Sequence, residues 1–318
     1  MSDPNRAVHL DTSPAEPHHA RKPRALAPGT HTLHLQVGPL TRHYTIHVPP
    51  AVPSGARLPL VLFLHGGGGH VQASIRETGW TGKAERDGFL VAFLDGMPLD
   101  PSRPASFRTN PRVWNDGYVR QNFGKTCADD VGYIRAALDD IEARLPVDRD
   151  RVYCSGFSNG GGMTFRVAVE LGERIAAIAS VAAYFYLPDP QLTRPVPLIY
   201  FSGTGDPMVP HLGGVSHSPW GDSPGKRPVR EVVEKYAALL GCPPAPRLLS
   251  DENGVRFEVY GPGREGSEAI FVAIEGMGHL WPGGVNALPE HVVGKSTDKI
   301  VANDVIWDFF LRHPRVRK

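Results

Sequence analysis

Residues 156 to 160 read Gly156-Phe157-Ser158-Asn159-Gly160, between a strand-like run from Arg151 to Ser155 and a helix-like run from Gly161 to Leu171. A G-x-S-x-G pattern in that position requires a sharp strand-to-helix turn, which lifts the serine hydroxyl clear of the sheet and aims the first N–H groups of the helix at whatever it meets. Small residues two before and two after the serine are needed where strand and helix backbones nearly touch, because a Cβ at either place would collide. Gly156 and Gly160 supply that room. Gly161 and Gly162 weaken a helix start, so close backbone approach outranks helix propensity here. Ser158 is therefore a candidate nucleophile, although a Gly-rich turn can also hold a serine for no chemical reason.

The surrounding pattern supports the chemical reading. Thr32 to Val37 and His43 to Val48 alternate apolar and polar residues, as an antiparallel hairpin at a sheet edge does. Continuous apolar runs follow at Leu58 to Leu64, Phe89 to Leu94 and Arg151 to Ser155, separated by helically spaced stretches at Ala73 to Glu85 and Val131 to Leu145. Unbroken apolar runs are what strands buried on both faces require, so the alternation predicts a mostly parallel sheet covered by helices on both sides. It continues through Ala176 to Ala183, Pro197 to Ser202, a helix near Val229 to Leu240, a strand pair at Val255 to Tyr260 and Ala269 to Ile274, and a closing helix from Asp298 to Leu311. Gly- and Pro-rich loops fall at Gly66 to Gly69, Met97 to Asn115, Gly203 to Pro228 and Gly276 to Pro289, beyond strand ends, where sites in such sheets lie.

Composition narrows the partners. The chain has 318 residues, 41% of them hydrophobic, and a formal net charge of +1. That balance offers no basic stripe for nucleic acid and points to a small-molecule or polymer substrate. Cys127, Cys154 and Cys242 are too few and too scattered to hold a metal cluster, so no metal is expected. Residues 1 to 29 are rich in Pro, His and charge and read as a disordered tail, with 30–318 as one catalytic domain. The tail lacks the apolar core of a secretory signal, so as written the chain reads as cytoplasmic. No stretch reaches the roughly 20 apolar residues of a membrane span.

A serine nucleophile needs a base to take its proton and a third group to orient that base. On sheets of this kind the three follow in the order Ser, Asp or Glu, His. Asp206 lies in Gly203-Thr204-Gly205-Asp206-Pro207, just past the strand ending at Ser202, and His279 follows Gly276-Met277-Gly278 past the strand ending at Ile274. His279 is the expected base and Asp206 its orienter. An Asp before Pro can also simply close a turn. Glu275, on strand register, and Asp298, at a helix start, are rival acids. The run Leu64-His65-Gly66-Gly67-Gly68-Gly69 follows an early strand and allows backbone N–H groups to turn inward as an oxyanion hole, with Gly67 and Asn159 as the expected donors. The glycines lack the spacing and the G-K-[ST] ending of phosphate loops. His65 is expected to support the loop.

These segments, with Trp114-Asn115-Asp116-Gly117, Asp129 to Ile134, Asp148 to Met163 and Gly278-His279-Leu280-Trp281-Pro282-Gly283-Gly284, resemble the polyhydroxybutyrate depolymerase-like esterases, a family that overlaps the feruloyl and acetylxylan esterases. The resemblance runs from about Leu33 to Phe310. It implies an α/β-hydrolase fold and hydrolysis of carboxylic esters without a cofactor, on polyesters or on feruloyl or acetyl esters of plant polysaccharide. It places the nucleophile, acid and base at Ser158, Asp206 and His279. It implies that Trp281 and Trp114 bind substrate and that the Trp114 to Gly117 turn shapes the cleft. The chain departs from it at Gly67, where Cys is common, at Ser202, where His is common, and at Cys242, which lacks a partner cysteine in the later strands. Most such relatives are secreted, so a start upstream of Met1 would make this chain a secreted one too.

The remaining readings are an acyltransferase on the same fold, separable by product analysis with an added alcohol, a peptidase, and a non-catalytic polymer-binding relative. A histidine base accepts a proton only when its ring is neutral, so ester turnover should rise with pH through the imidazole range. A rate that stays flat from about pH 5 to 8 would exclude His279 from that role.

Overall fold

The computed structural model describes residues 25–51, 55–118, 128–286 and 288–316. The expected tail therefore falls mainly on residues outside this range, as does Cys127. The predicted hairpin is β1 (Gly29–Val37) and β2 (Leu40–Val48), paired antiparallel with Val37 opposite Leu40.

β3 (Leu58–Leu64) leads to α1 (Val71–Thr78), α2 (Trp80–Asp87) and β4 (Leu90–Leu94). The stretch expected as one helix over Ala73 to Glu85 is thus two. Gly79, at φ 69, caps α1 in the left-handed conformation and turns the chain into α2, as glycine at such a cap does. A small ladder of β5 (Met97–Pro98) and β6 (Arg112–Val113) precedes α3 (Asp130–Arg144). The Asp129 side chain caps α3 by accepting the Gly132 N–H at 2.7 Å. Then come β7 (Val147–Phe157), α4 (Asn159–Glu170), β8 (Ala177–Val181), β9 (Leu198–Gly203), a hairpin of β10 (Gly214–Ser218) and β11 (Gly221–Lys226), and α5 (Arg230–Leu240). The chain closes with β12 (Arg247–Glu252), β13 (Val255–Tyr260), β14 (Ala269–Ile274), α6 (Glu290–Val293) and α7 (Ala302–Arg312).

Ten strands form one sheet in the order β1-β2-β4-β3-β7-β8-β9-β14-β13-β12. The run from β4 to β14 is parallel throughout. Both edges are antiparallel, not the N-terminal edge alone, because β12 and β13 extend the far side as a second hairpin. β12 escapes detection from sequence because its residues, including Leu248 and Leu249, are largely exposed and leave no apolar run. The β10–β11 hairpin, read as loop, is built from Gly, Ser and Pro, which carry little strand propensity. α7 starts at Ala302, so Asp298 caps nothing, and Glu275 lies past the end of β14 with its side chain largely exposed.

The parallel strands show why unbroken apolar runs are needed. In β3, Leu60, Leu62 and Leu64 face a core layer shared with α3, α4 and α5, while Val61 and Phe63 face one shared with α1, α2 and α7. β9 divides the same way, with Leu198 and Tyr200 on one side and Ile199 and Phe201 on the other. Among the described residues no helix is long and apolar enough to cross a membrane.

Leu62 is fully buried at the centre of the sheet and Leu212 is 84% exposed. Leu62→Ala should lower unfolding free energy by about 2–5 kcal/mol, whereas Leu212→Ala should stay within about 0.5 kcal/mol of wild type, both read from urea denaturation midpoints.

Candidate active site

β7 ends one residue before Ser158, whose backbone sits at φ 53 and ψ −123. That conformation is strained for a residue with a side chain, at roughly 1–3 kcal/mol, and the packing around it enforces it. A Cβ on Gly156 would lie 2.4 Å from the Gly160 carbonyl oxygen, and one on Gly160 would lie 2.2 Å from the Leu64 carbonyl oxygen. Both glycines are thus required by close approach. Gly161 and Gly162 are confined in the same way, by Ala183 and by Asp116. The Ser158 N–H donates to the Val181 carbonyl at 2.8 Å, which ties the turn to β8.

Ser158 Oγ is 2.9 Å from His279 Nε2, and His279 Nδ1 is 2.8 Å from Asp206 Oδ2. The carboxylate can only accept, so Nδ1 carries the proton and Nε2 is left to accept from the serine hydroxyl. Asp206 is 5% exposed and fully engaged, because its Oδ1 also accepts the Met208 and Val209 N–H groups at 2.8 Å each. The turn-closing role considered for Asp206 is therefore real and coexists with its contact to the imidazole. The Phe157 ring, 4.8 Å from the imidazole centre, covers one face of His279.

The glycines before His279 act by two different means. Gly276 takes φ 72, which favours glycine. Gly278 is instead pressed against the end of α6, where a Cβ would meet the Val293 carbonyl at 2.1 Å. The His279 N–H donates to that carbonyl at 2.5 Å.

The glycine loop after β3 faces the same point. The Gly68 and Gly69 N–H groups are committed to the Arg112 and Gly66 carbonyls, at 2.7 and 2.9 Å. No backbone acceptor among the described residues takes the Gly67 N–H, and Gly67 lines the cleft beside Ser158. Asn159 is the first residue of α4, where an N–H has no partner within the helix. Its side chain is occupied behind the site. Asn159 Oδ1 accepts the Trp114 N–H at 2.6 Å, and Nδ2 donates to the Trp114 carbonyl and to Asp116 at 3.1 and 2.7 Å.

That arrangement corrects the expectation for Trp114. It is 2% exposed, stacks on Tyr133 and donates its indole N–H to the His65 carbonyl at 2.9 Å. It therefore packs beneath the glycine loop and lines neither lobe of the cleft. The turn it begins does shape the cleft, through Asp116. Trp281 is 7% exposed and bonded to Asn303, but one edge lines a pocket that reaches His279.

The cleft has two lobes that meet at Ser158. One, of about 550 Å³, is the more polar of the two and includes Asp116, Tyr118, Tyr184, Tyr186, Ser216 and Lys226. The other, of about 260 Å³, is apolar and includes Phe63, Phe107, Phe157, Leu280, Trp281 and Val285. The β10–β11 hairpin divides them. Its Trp220 donates to the Phe107 carbonyl at 2.8 Å and lines both lobes. The segment expected to border the cleft thus does so as an ordered arm. Tyr184, Tyr186 and Lys226 had no motif to mark them in sequence, although the tyrosines sit just past the carboxyl end of β8, where such sites lie. Among the described residues no cluster of three or more metal-ligating side chains occurs.

His65 supports the loop as expected. Its Nε2 accepts the Gly96 N–H at 2.9 Å, so its Nδ1 holds the proton and donates to the Gly66 carbonyl at 2.7 Å. Burial pushes the imidazole below its usual range, with the Asp95 charge and the Gly66 carbonyl opposing. The folded chain therefore refuses a proton that the unfolded chain accepts. This contribution to stability is complete above an ordinary imidazole value of ~6.5 and declines as pH falls below it. The urea midpoint should fall less between about pH 7 and 5 in His65→Asn than in wild type, and equal slopes would show that His65 is not the responsive group.

No family model matches the chain. Over 293 residues, 85% of this chain and 79% of the relative, it is 30% identical to NocK of Nocardia uniformis subsp. tsuyamanensis, a protein named as an esterase. It is 24% identical to a "Probable feruloyl esterase C" of Aspergillus niger, over 96% of this chain and 93% of that one. Among solved structures, an acetyl xylan esterase from Aspergillus awamori shares the fold at a TM-score of 0.59 and 15% identity, over 88% of this chain and 99% of that one. The chain belongs to the esterase family of NocK, has an α/β-hydrolase fold, and is a carboxylic ester hydrolase.

Proposed function

We propose that Ser158 is the nucleophile, His279 the general base, Asp206 the group that orients it, and the N–H groups of Gly67 and Asn159 the oxyanion hole. The observation that carries this reading is the unbroken hydrogen-bonded line from Ser158 Oγ through His279 to Asp206, at 2.9 and 2.8 Å. As Ser158 Oγ bonds to the ester carbonyl carbon, its proton passes to His279 Nε2 and the carbonyl electron pair moves onto oxygen, where the two N–H groups hold it. Collapse expels the alcohol, which takes the proton from His279. Water then attacks the acyl-enzyme by the same route, releasing the acid and restoring Ser158. Each oxyanion donor contributes on the order of 10²–10³ in turnover.

The substrate class we propose is an ester borne on a polymer or its fragments, either a polyester or the feruloyl and acetyl esters of plant polysaccharide. The relatives named for feruloyl and acetylxylan ester hydrolysis support it, as does a cleft open along two lobes. In this reading the edge of Trp281 forms part of the apolar wall.

A fluorophosphonate probe should label one site, Ser158, with matching loss of hydrolysis of short-chain p-nitrophenyl esters. Ser158→Ala should lower kcat by on the order of 10⁴-fold or more while leaving the fold intact by circular dichroism. Adduct formation elsewhere, or turnover retained in Ser158→Ala, would overturn the assignment.

A further inference from the structure

The larger lobe of the cleft holds a lysine that no carboxylate pairs with among the described residues. Lys226 ends β11, and its ammonium lies 4.9 Å from the ring centre of Tyr118, 5.6 Å from that of Tyr184 and 5.9 Å from that of Tyr186. The rings brace one another, with centres 4.4 Å apart for Tyr118 and Tyr186 and 5.7 Å apart for Tyr184 and Tyr186. They reach this place from separate parts of the chain, Tyr118 from beyond β6 and the other two from beyond β8. Among the described residues no acid forms an ion pair with Lys226, and its ammonium sits against the three rings.

Two carboxylates, Asp116 and Asp222, also line this lobe, and each is engaged by a group other than Lys226. Asp116, 3% exposed, accepts from Asn159 Nδ2 at 2.7 Å and from the Tyr118 N–H at 3.1 Å. Asp222 lies 3.0 Å from His217 Nδ1, and Arg227 pairs with Glu231 at 3.3 Å. Ring faces attract an ammonium through their quadrupole but carry no net charge, so they hold Lys226 in place without neutralising it. An ammonium that no carboxylate contacts keeps its N–H donors available to an anionic group of a ligand. A lysine is a compact point charge with rotatable donors, suited to a single carboxylate oxygen and not to a two-pronged clamp.

We propose that Lys226 and its three tyrosines form a subsite for a carboxylate carried by the ester substrate, so that acid esters are preferred over neutral esters of the same size. The proposal rests on the hydrolytic role of Ser158, which shares this lobe. An ester fragment with a free acid end, such as a hydroxy-acid oligomer or a half-ester of a dicarboxylic acid, has the required chemistry.

Two matched pairs test it. Mono-p-nitrophenyl adipate against p-nitrophenyl hexanoate places the carboxylate on the acyl side, and 6-acetoxyhexanoate against hexyl acetate places it on the alcohol side. In at least one pair the wild-type kcat/KM ratio of acid to neutral ester should fall about five- to tenfold in Lys226→Met and be largely kept in Lys226→Arg. The same ratio should shrink in wild type on adding about 0.5 M NaCl. The neutral ester is the internal reference, so general damage to the enzyme does not mimic the effect. Ratios unchanged by Lys226→Met in both pairs would overturn the subsite, whereas turnover surviving in Ser158→Ala would instead overturn the hydrolytic reading on which it stands.

Discussion

The site depends on one close approach. β7 and α4 meet β3 where Gly156 and Gly160 have no room for a Cβ, the nearest backbone oxygens lying within 2.4 Å of where it would sit. That contact holds Ser158 at φ 53, which fixes the direction of its side chain and the start of α4 together. The conformation is unfavourable in isolation and persists because the surrounding strands and helix over-determine it. Everything that meets the serine is placed relative to this turn: the glycine loop through β3, Asp206 through β9 and His279 through β14.

A buried polar frame keeps the glycine loop in register with that turn. Asn159 joins the start of α4 to the Trp114 turn, Trp114 bonds to the His65 carbonyl, and His65 bonds to Gly66 and Gly96. Further back, Arg42 and Asp130 pair at 2.9 Å with both side chains almost wholly buried, and Asp130 also accepts the Asn115 N–H at 2.8 Å. Burial raises the Asp130 carboxyl, and the Arg42 charge with the Asn115 N–H acts against it. A buried pair of this kind is weak evidence for net stability. Its value here is geometric, because every partner bears on the segments that carry the Gly67 and Asn159 N–H groups.

The two lobes that meet at Ser158 differ in their walls. The apolar lobe is walled by aromatic rings that also belong to the core, Phe63 and Trp281 with centres 5.3 Å apart. The polar lobe is walled by the β10–β11 arm and by the tyrosines beyond β8. Trp220, at the boundary, is anchored to Phe107 and sits over Gly67, so the arm that shapes the polar lobe also packs on the glycine loop.

The chain alone settles the order of elements and the identities at strand ends, since Ser158, Asp206, His279 and the Gly66 to Gly69 loop each follow an unbroken apolar run that must be a buried strand. Glycine identity reports backbone crowding directly, so Gly156 and Gly160 were legible as well. Trp114 and Lys226 were not. A tryptophan reads the same whether its ring meets a substrate or a histidine carbonyl, and only packing against Tyr133 puts Trp114 behind the site. Lys226, Tyr118 and the Tyr184 and Tyr186 pair lie far apart in sequence and carry no shared motif, so folding decides that they share a wall. Local chemistry is written in neighbouring residues, whereas a cleft is made by side chains whose proximity depends on how the sheet brings distant loops together.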